Sequence, residues 1–142
     1  MGFHTIVYGC ILSAPKSNDA TREALSSFSF DSVYPFPNIF SLPRKGYQWS
    51  TISFATSFKD FEEDIELWLE RFEQLLVCIQ ALSANVHFEY ESSGECELVD
   101  VRMTVEGALE KPPSDRSWVI FRTFKRGNVT EGKEENRPLR SG

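Results

Sequence analysis

The stretch Asp60–Ser83 reads DFEEDIELWLERFEQLLVCIQALS, and its apolar residues recur at three- and four-residue steps. Phe61, Ile65, Trp68, Leu69, Phe72, Leu75, Leu76, Ile79 and Leu82 then share one side, the pattern of an amphipathic helix laid on a core. Asp60 followed by Glu63 fits a capping box, and the acidic first half suits the positive end of a helix dipole. The spacing predicts one long helix over about 60–83.

On the C-terminal side, Asn85–Glu91 and Glu95–Glu106 alternate with period two and flank Ser92-Ser93-Gly94-Glu95, which predicts a hairpin. Val86, Phe88 and Tyr90 take one face of the first strand; Val99, Val101, Met103 and Val105 take one face of the second. A turn centred on Ser93-Gly94 sets His87 opposite Asp100. Ser117–Phe124, SWVIFRTF, reads as a last strand that is apolar on both faces. From Lys125 onward the residues are polar, and 125–142 is expected to be a flexible tail.

On the N-terminal side, Tyr47–Phe58 alternates as a half-buried strand with Ile52, Phe54 and Phe58 inward. Phe30–Arg44 carries Pro35, Pro37 and Pro43 among Phe36, Ile39, Phe40 and Leu42. Prolines at that density exclude a regular helix or a central strand, so the segment is a packed loop or a recognition surface. Asn18–Phe28 has helical spacing. Phe3–Leu12, FHTIVYGCIL, is apolar on both sides, as a strand in the middle of a sheet would be. Gly9 interrupts it, marking a bulge or the close approach of a neighbour.

These elements give an α+β class: an antiparallel or mixed sheet of about five strands, with the long helix (60–83) and a short one (18–28) packed on a face. Residues 1–124 form one domain and 125–142 its tail. The chain has 142 residues, 41% hydrophobic and 13% aromatic, enough to build a core without disulfide or metal staples. Cys10, Cys78 and Cys96 have no spacing for a zinc site or a disulfide framework, and buried thiols are the expected outcome. No signal-peptide pattern and no membrane-length apolar run is present, so the expected location is cytoplasmic. Walker, dinucleotide-binding and nucleophile-elbow motifs are absent, and no cofactor or metal is expected.

Formal net charge is −6, which disfavours nucleic acid and suits a basic protein partner. Glu62, Glu66, Glu70 and Glu73 follow at steps of four, four and three, so they line one side of the helix, and Arg71 is the lone cation there. This strip, with Trp49 near Arg44-Lys45-Gly46-Tyr47, is the expected partner-binding surface. Trp49 and Tyr47 alternatively anchor the proline-rich loop in the core or form a stacking platform. The resulting expectation is a non-enzymatic protein-binding module, of the immunity or inhibitor kind, that neutralises a basic partner such as a toxin by occlusion. The alternative is a small enzyme or ligand-binding protein with a pocket near His87 and Asp100, where a carboxylate would orient a histidine base. A homo-oligomer pairing through a strand edge is a third reading.

Overall fold

In the computed structural model of the chain, residues 4–14, 18–59, 61, 64–92, 95–106 and 116–139 are described. Strand β1 (His4–Ser13) pairs antiparallel with two neighbours at once, Gly9 facing Phe54 on one side and Val86 on the other. Around it form β2 (Arg44–Lys45), β3 (Ser50–Lys59), β4 (Ser83–Ser92), β5 (Glu95–Glu106), β6 (Ser117–Arg126) and β7 (Val129–Pro138). All pairings are antiparallel, and the strands stand in the order β2-β3-β1-β4-β5-β6-β7. The sheet thus has seven strands rather than about five. Helix α1 (Asn18–Ser27) and helix α2 (Ile65–Cys78) pack on one face of it.

Alternation assigns each strand's residues to two faces. Val7, Ile11, Ile52, Phe54, Val86, Phe88, Val101, Met103, Trp118 and Ile120 are all buried on the face under the helices. Trp68 and Phe72 of α2 press onto that face, their rings 4.8 Å apart at the centroids and 6.0 and 5.4 Å from Phe54. Phe54 in turn reaches over Gly9. A Cβ on Gly9 would stand 2.7 Å from the Phe54 ring and 2.0 Å from the Asn85 carbonyl oxygen. Gly9 therefore marks close packing by a neighbour, with no side chain to hold the ring and backbone off.

The long helix predicted over 60–83 is a 14-residue helix. Apolar spacing continues past its end because Ile79 and Ala81 are buried from a turn, not from further helix. The Gln80 amide donates to the Val77 carbonyl (3.1 Å) and the Ala81 amide to that of Leu76 (2.9 Å), with Gln80 at φ 54°. That is the hydrogen-bond pair of a Schellman motif, which usually places glycine at the left-handed position. One residue on, the Leu82 amide donates to the Leu12 carbonyl and the chain has joined the sheet. The predicted capping residues Asp60 and Glu63 lie outside the described residues. Asp64 occupies the N-cap and accepts a hydrogen bond from the Tyr34 hydroxyl of the proline-rich loop.

That loop packs as part of the core. Phe36 is fully buried, 5.2 Å from Trp68 between ring centroids, and Phe40 lies 5.0 Å from Phe54. Arg71 pins it from α2: its guanidinium bonds the Ser29 carbonyl, pairs with Asp31 at 3.3 Å and covers the Phe36 ring at 5.4 Å.

The segment read as a flexible tail supplies the seventh strand. Gly127, at φ 57°, opens a two-residue turn with Asn128, and β7 returns along the whole of β6. Its run of Glu131, Lys133, Glu134 and Glu135 at the sheet edge discourages further strands from adding there. Apolar content could not reveal it, because an exposed edge strand buries almost nothing.

Substituting Gly9→Ala should cost about 2–3 kcal/mol in urea unfolding, since the clash is partly with backbone. Gln80→Gly should gain about 1 kcal/mol by relieving the left-handed conformation of a side-chain-bearing residue.

Candidate functional site

The spacing of the helix glutamates predicts an outward row, and the structure shows what stands across from each described member. Glu66 forms an ion pair with Arg122 of β6. Glu73 is buried and pairs with Arg137 of β7 at 3.2 Å, while Arg137 Nε also forms an ion pair with Glu135 at 3.1 Å. The strip is therefore not a free negative surface: two of its members are engaged by the chain's own arginines. Glu62 lies outside the described residues. Glu70 is exposed and lines a groove of about 440 Å³ between α2 and strands β5–β7. The same economy holds elsewhere, with Glu97 on Arg126 at 3.1 Å and Asp31 on Arg71. The neutralising arginines sit on strands far along the chain, so no local window of sequence could disclose them.

Among the described residues, no helix lies on the other face of the sheet. On it β1 presents Ile6 and Tyr8, and β6 presents Phe121, with 36 to 46% of each residue accessible. Apolar residues on both sides of β1 predicted a strand in the middle of a sheet, and β1 is flanked by β3 and β4. Its second face, however, is bare. Phe121 leans over Gly132 of β7, where a Cβ would stand 3.1 Å from its ring.

Around Tyr8 the bare face is polar and organised. The expected register holds: His87 stands opposite Asp100 on one side and Tyr8 on the other. The Tyr8 and His87 rings stack with centroids 4.9 Å apart and planes 24° apart. The Tyr8 hydroxyl donates to Glu89 Oε1 at 3.0 Å, and His87 Nδ1 pairs with Asp100 Oδ1. The hydrogen bond to the Glu89 carboxylate raises the Tyr8 pKa above its ordinary value, with desolvation and the charges of Glu89 and Asp100 acting in the same direction. Glu91 continues the row on β4. No lysine or arginine occurs on β1 or β4, whereas Arg102 and Lys125 stand on the next two strands.

This arrangement positions a histidine but offers no enclosure. The His87 and Asp100 side chains are 37 and 48% accessible, and neither lines the groove or the shallow hollow beside Phe40. The Tyr8 hydroxyl is committed to Glu89 rather than aimed at the imidazole. Cys10, also on β1, has its thiol pKa raised by burial, the opposite of what a nucleophile needs. Among the described residues no three metal-ligating side chains gather.

Trp49 and Tyr47 stand at the tip between β2 and β3, where the Gly46 amide donates to the Trp49 carbonyl at 2.9 Å. Tyr47 is 98% accessible and Trp49 44%, so they do not anchor the proline-rich loop. Ile6 and Phe121 are exposed residues of this face that sequence reading did not select. The signal for them was the two-sided apolar character of β1 and β6. No family model, curated protein or solved structure matches the chain.

Arg137→Met should destabilise the fold by about 2–3 kcal/mol, leaving the buried Glu73 carboxylate poorly compensated. Arg122→Met should cost under about 0.5 kcal/mol because Glu66 stays in water; chemical denaturation of both variants checks the contrast. Ultraviolet titration should place the Tyr8 phenol above 10.0, with Glu89→Gln lowering it. Because the raised pKa favours the neutral phenol in the fold, its contribution to stability is complete below the unfolded value and disappears as pH rises through the folded one.

Proposed function

We propose that the chain is a non-enzymatic protein-binding module that occludes a basic protein partner, in the manner of an immunity or inhibitor protein, docking it on the bare face formed by β1, β4 and β5. The observation that carries this reading is the combination on that face of accessible Ile6 and Tyr8 with Glu89, Glu91 and Asp100. Interfaces draw their energy from a few accessible aromatic and aliphatic anchors, and charges around them steer encounter and reject wrong partners. Tyr8 is held ready by its stacking on His87 and its bond to Glu89, so little rotamer freedom is lost on docking. Across β1, β4, β5 and the adjoining end of β3, Glu89 and Glu91 on β4 and Asp100 on β5 outnumber the cations of the same face, Arg102 on β5 and Lys59 on β3, which favours a partner rich in lysine and arginine.

This places the docking surface away from the helix row. Glu73 would have to abandon Arg137 to meet a partner, which opposes its use, and Glu66 already shares its charge with Arg122. Trp49 remains a contact candidate at the corner of the bare face, since it sits two residues before Thr51 on β3. Neither the groove beside α2 nor the hollow beside Phe40 includes His87, whose side chain is 37% accessible, so the ligand or enzyme reading near His87 and Asp100 is the weaker of the two.

The test uses the full chain as an immobilised bait in three forms: unaltered, Glu89→Lys/Glu91→Lys, and Glu70→Lys. A basic protein should be retained by the unaltered and Glu70→Lys baits, released by moderate salt, and lost from the double variant; Tyr8→Ala should weaken it about tenfold. Equal retention by the double variant would contradict the proposal. So would a solution mass showing that a second copy already covers Tyr8.

A further inference from the structure

We propose that the groove between α2 and the β6–β7 hairpin binds a zwitterionic small molecule, an α-amino acid or dipeptide with an apolar side chain. The groove lies on the helix-covered side of the sheet, opposite the bare face, so this inference stands apart from the docking reading. Its shape is set by two ion pairs. Arg122 reaches from β6 to Glu66, and Arg137 from β7 to Glu73, and these tie the strands to α2 at separate levels of the hairpin. Between them remains a space of about 440 Å³, within the range of small-molecule sites.

The floor of that space is apolar, formed by Leu69 of α2 with Met103 and Ile120 of the sheet. Its walls are charged and opposite. Glu70 stands on the helix side, one turn beyond Glu66, and Lys133 on the strand side, directly across from Arg122. The other charges lining the groove are already matched: Glu66 with Arg122, and Glu73 and Glu135 with Arg137. Among the described residues, Glu70 and Lys133 form no ion pair, although both line the same space.

One unengaged carboxylate and one unengaged ammonium over an apolar floor define the complementary ligand. Its ammonium group meets Glu70, its carboxylate meets Lys133, and its side chain covers Leu69, Met103 and Ile120. A neutral zwitterion adds no net charge to a groove whose ionisable groups are nearly balanced. A ligand carrying only the amine satisfies Glu70 and leaves its charge facing Lys133; one carrying only the acid does the reverse. Each half-ligand therefore loses one attraction and meets one repulsion, which is how such a site discriminates.

Titration calorimetry with L-phenylalanine, L-leucine and the dipeptide Leu-Phe, against phenethylamine and 3-phenylpropionate, tests this directly. At least one zwitterion should bind saturably, and both half-ligands should be weaker by about tenfold or more. Glu70→Gln should abolish the preference over 3-phenylpropionate, and Lys133→Gln the preference over phenethylamine. Glu23→Gln, on the exposed side of α1, should leave binding unchanged. Circular dichroism of each variant confirms that it is folded; both sites are exposed enough for neutral replacements to be tolerated. Absence of saturable binding by all three zwitterions in the millimolar range would overturn the proposal, as would equal affinity for the half-ligands or indifference to both groove substitutions.

Discussion

The packing of Phe54 over Gly9 is the contact on which the architecture turns. With no Cβ at position 9, the Phe54 ring lies down on β1 and presents its other side to Trp68 and Phe72 of α2. The helix thereby reaches the middle of the sheet, and Phe36 and Phe40 of the proline-rich loop close around the same rings. Aromatic residues bury large area with few rotatable bonds, so this cluster supplies much of the core from a modest number of ordered side chains. Among the described residues, it also commits the covering elements to one side. Two helices of 10 and 14 residues and one loop suffice for a single face of a seven-stranded sheet.

The consequence is a division of labour between the faces. Beneath α2, charges are used internally: Arg71 fastens the loop, and Arg122 and Arg137 fasten the β6–β7 hairpin through glutamates of the helix. On the bare face, ionisable groups organise an accessible aromatic residue, with Tyr8 held between His87 and Glu89. Carboxylates of identical chemistry thus act as struts on one side and as surface charge on the other, according to what stands across from them.

The register of the hairpin β4–β5 was legible, including the His87–Asp100 pairing, because a turn between two alternating runs is local information and fixes the cross-strand pairs at once; the start of β4 at Ser83 and Ala84 was not. The extent of α2 was not, because Ile79 and Leu82 continue the apolar spacing while the chain turns through Gln80 into the sheet. Strand β7 escaped notice because an edge strand needs hydrogen bonds and not burial, although Gly127-Asn128 between two extended runs was a hairpin signal. The fate of the helix glutamates was invisible for a further reason. Arg122 is 56 residues from Glu66 in sequence, and only the completed sheet brings them together.

Hydroxyl-radical footprinting of the isolated chain, read residue by residue, tests the one-sided sheet most directly. The account predicts rapid labelling of Tyr8 and Phe121 along with the protruding Tyr47, and strong protection of Phe36, Trp68, Phe72 and Trp118. Protection of Tyr8 and Phe121 to the level of Trp68 would show that their face is already covered, and would contradict it.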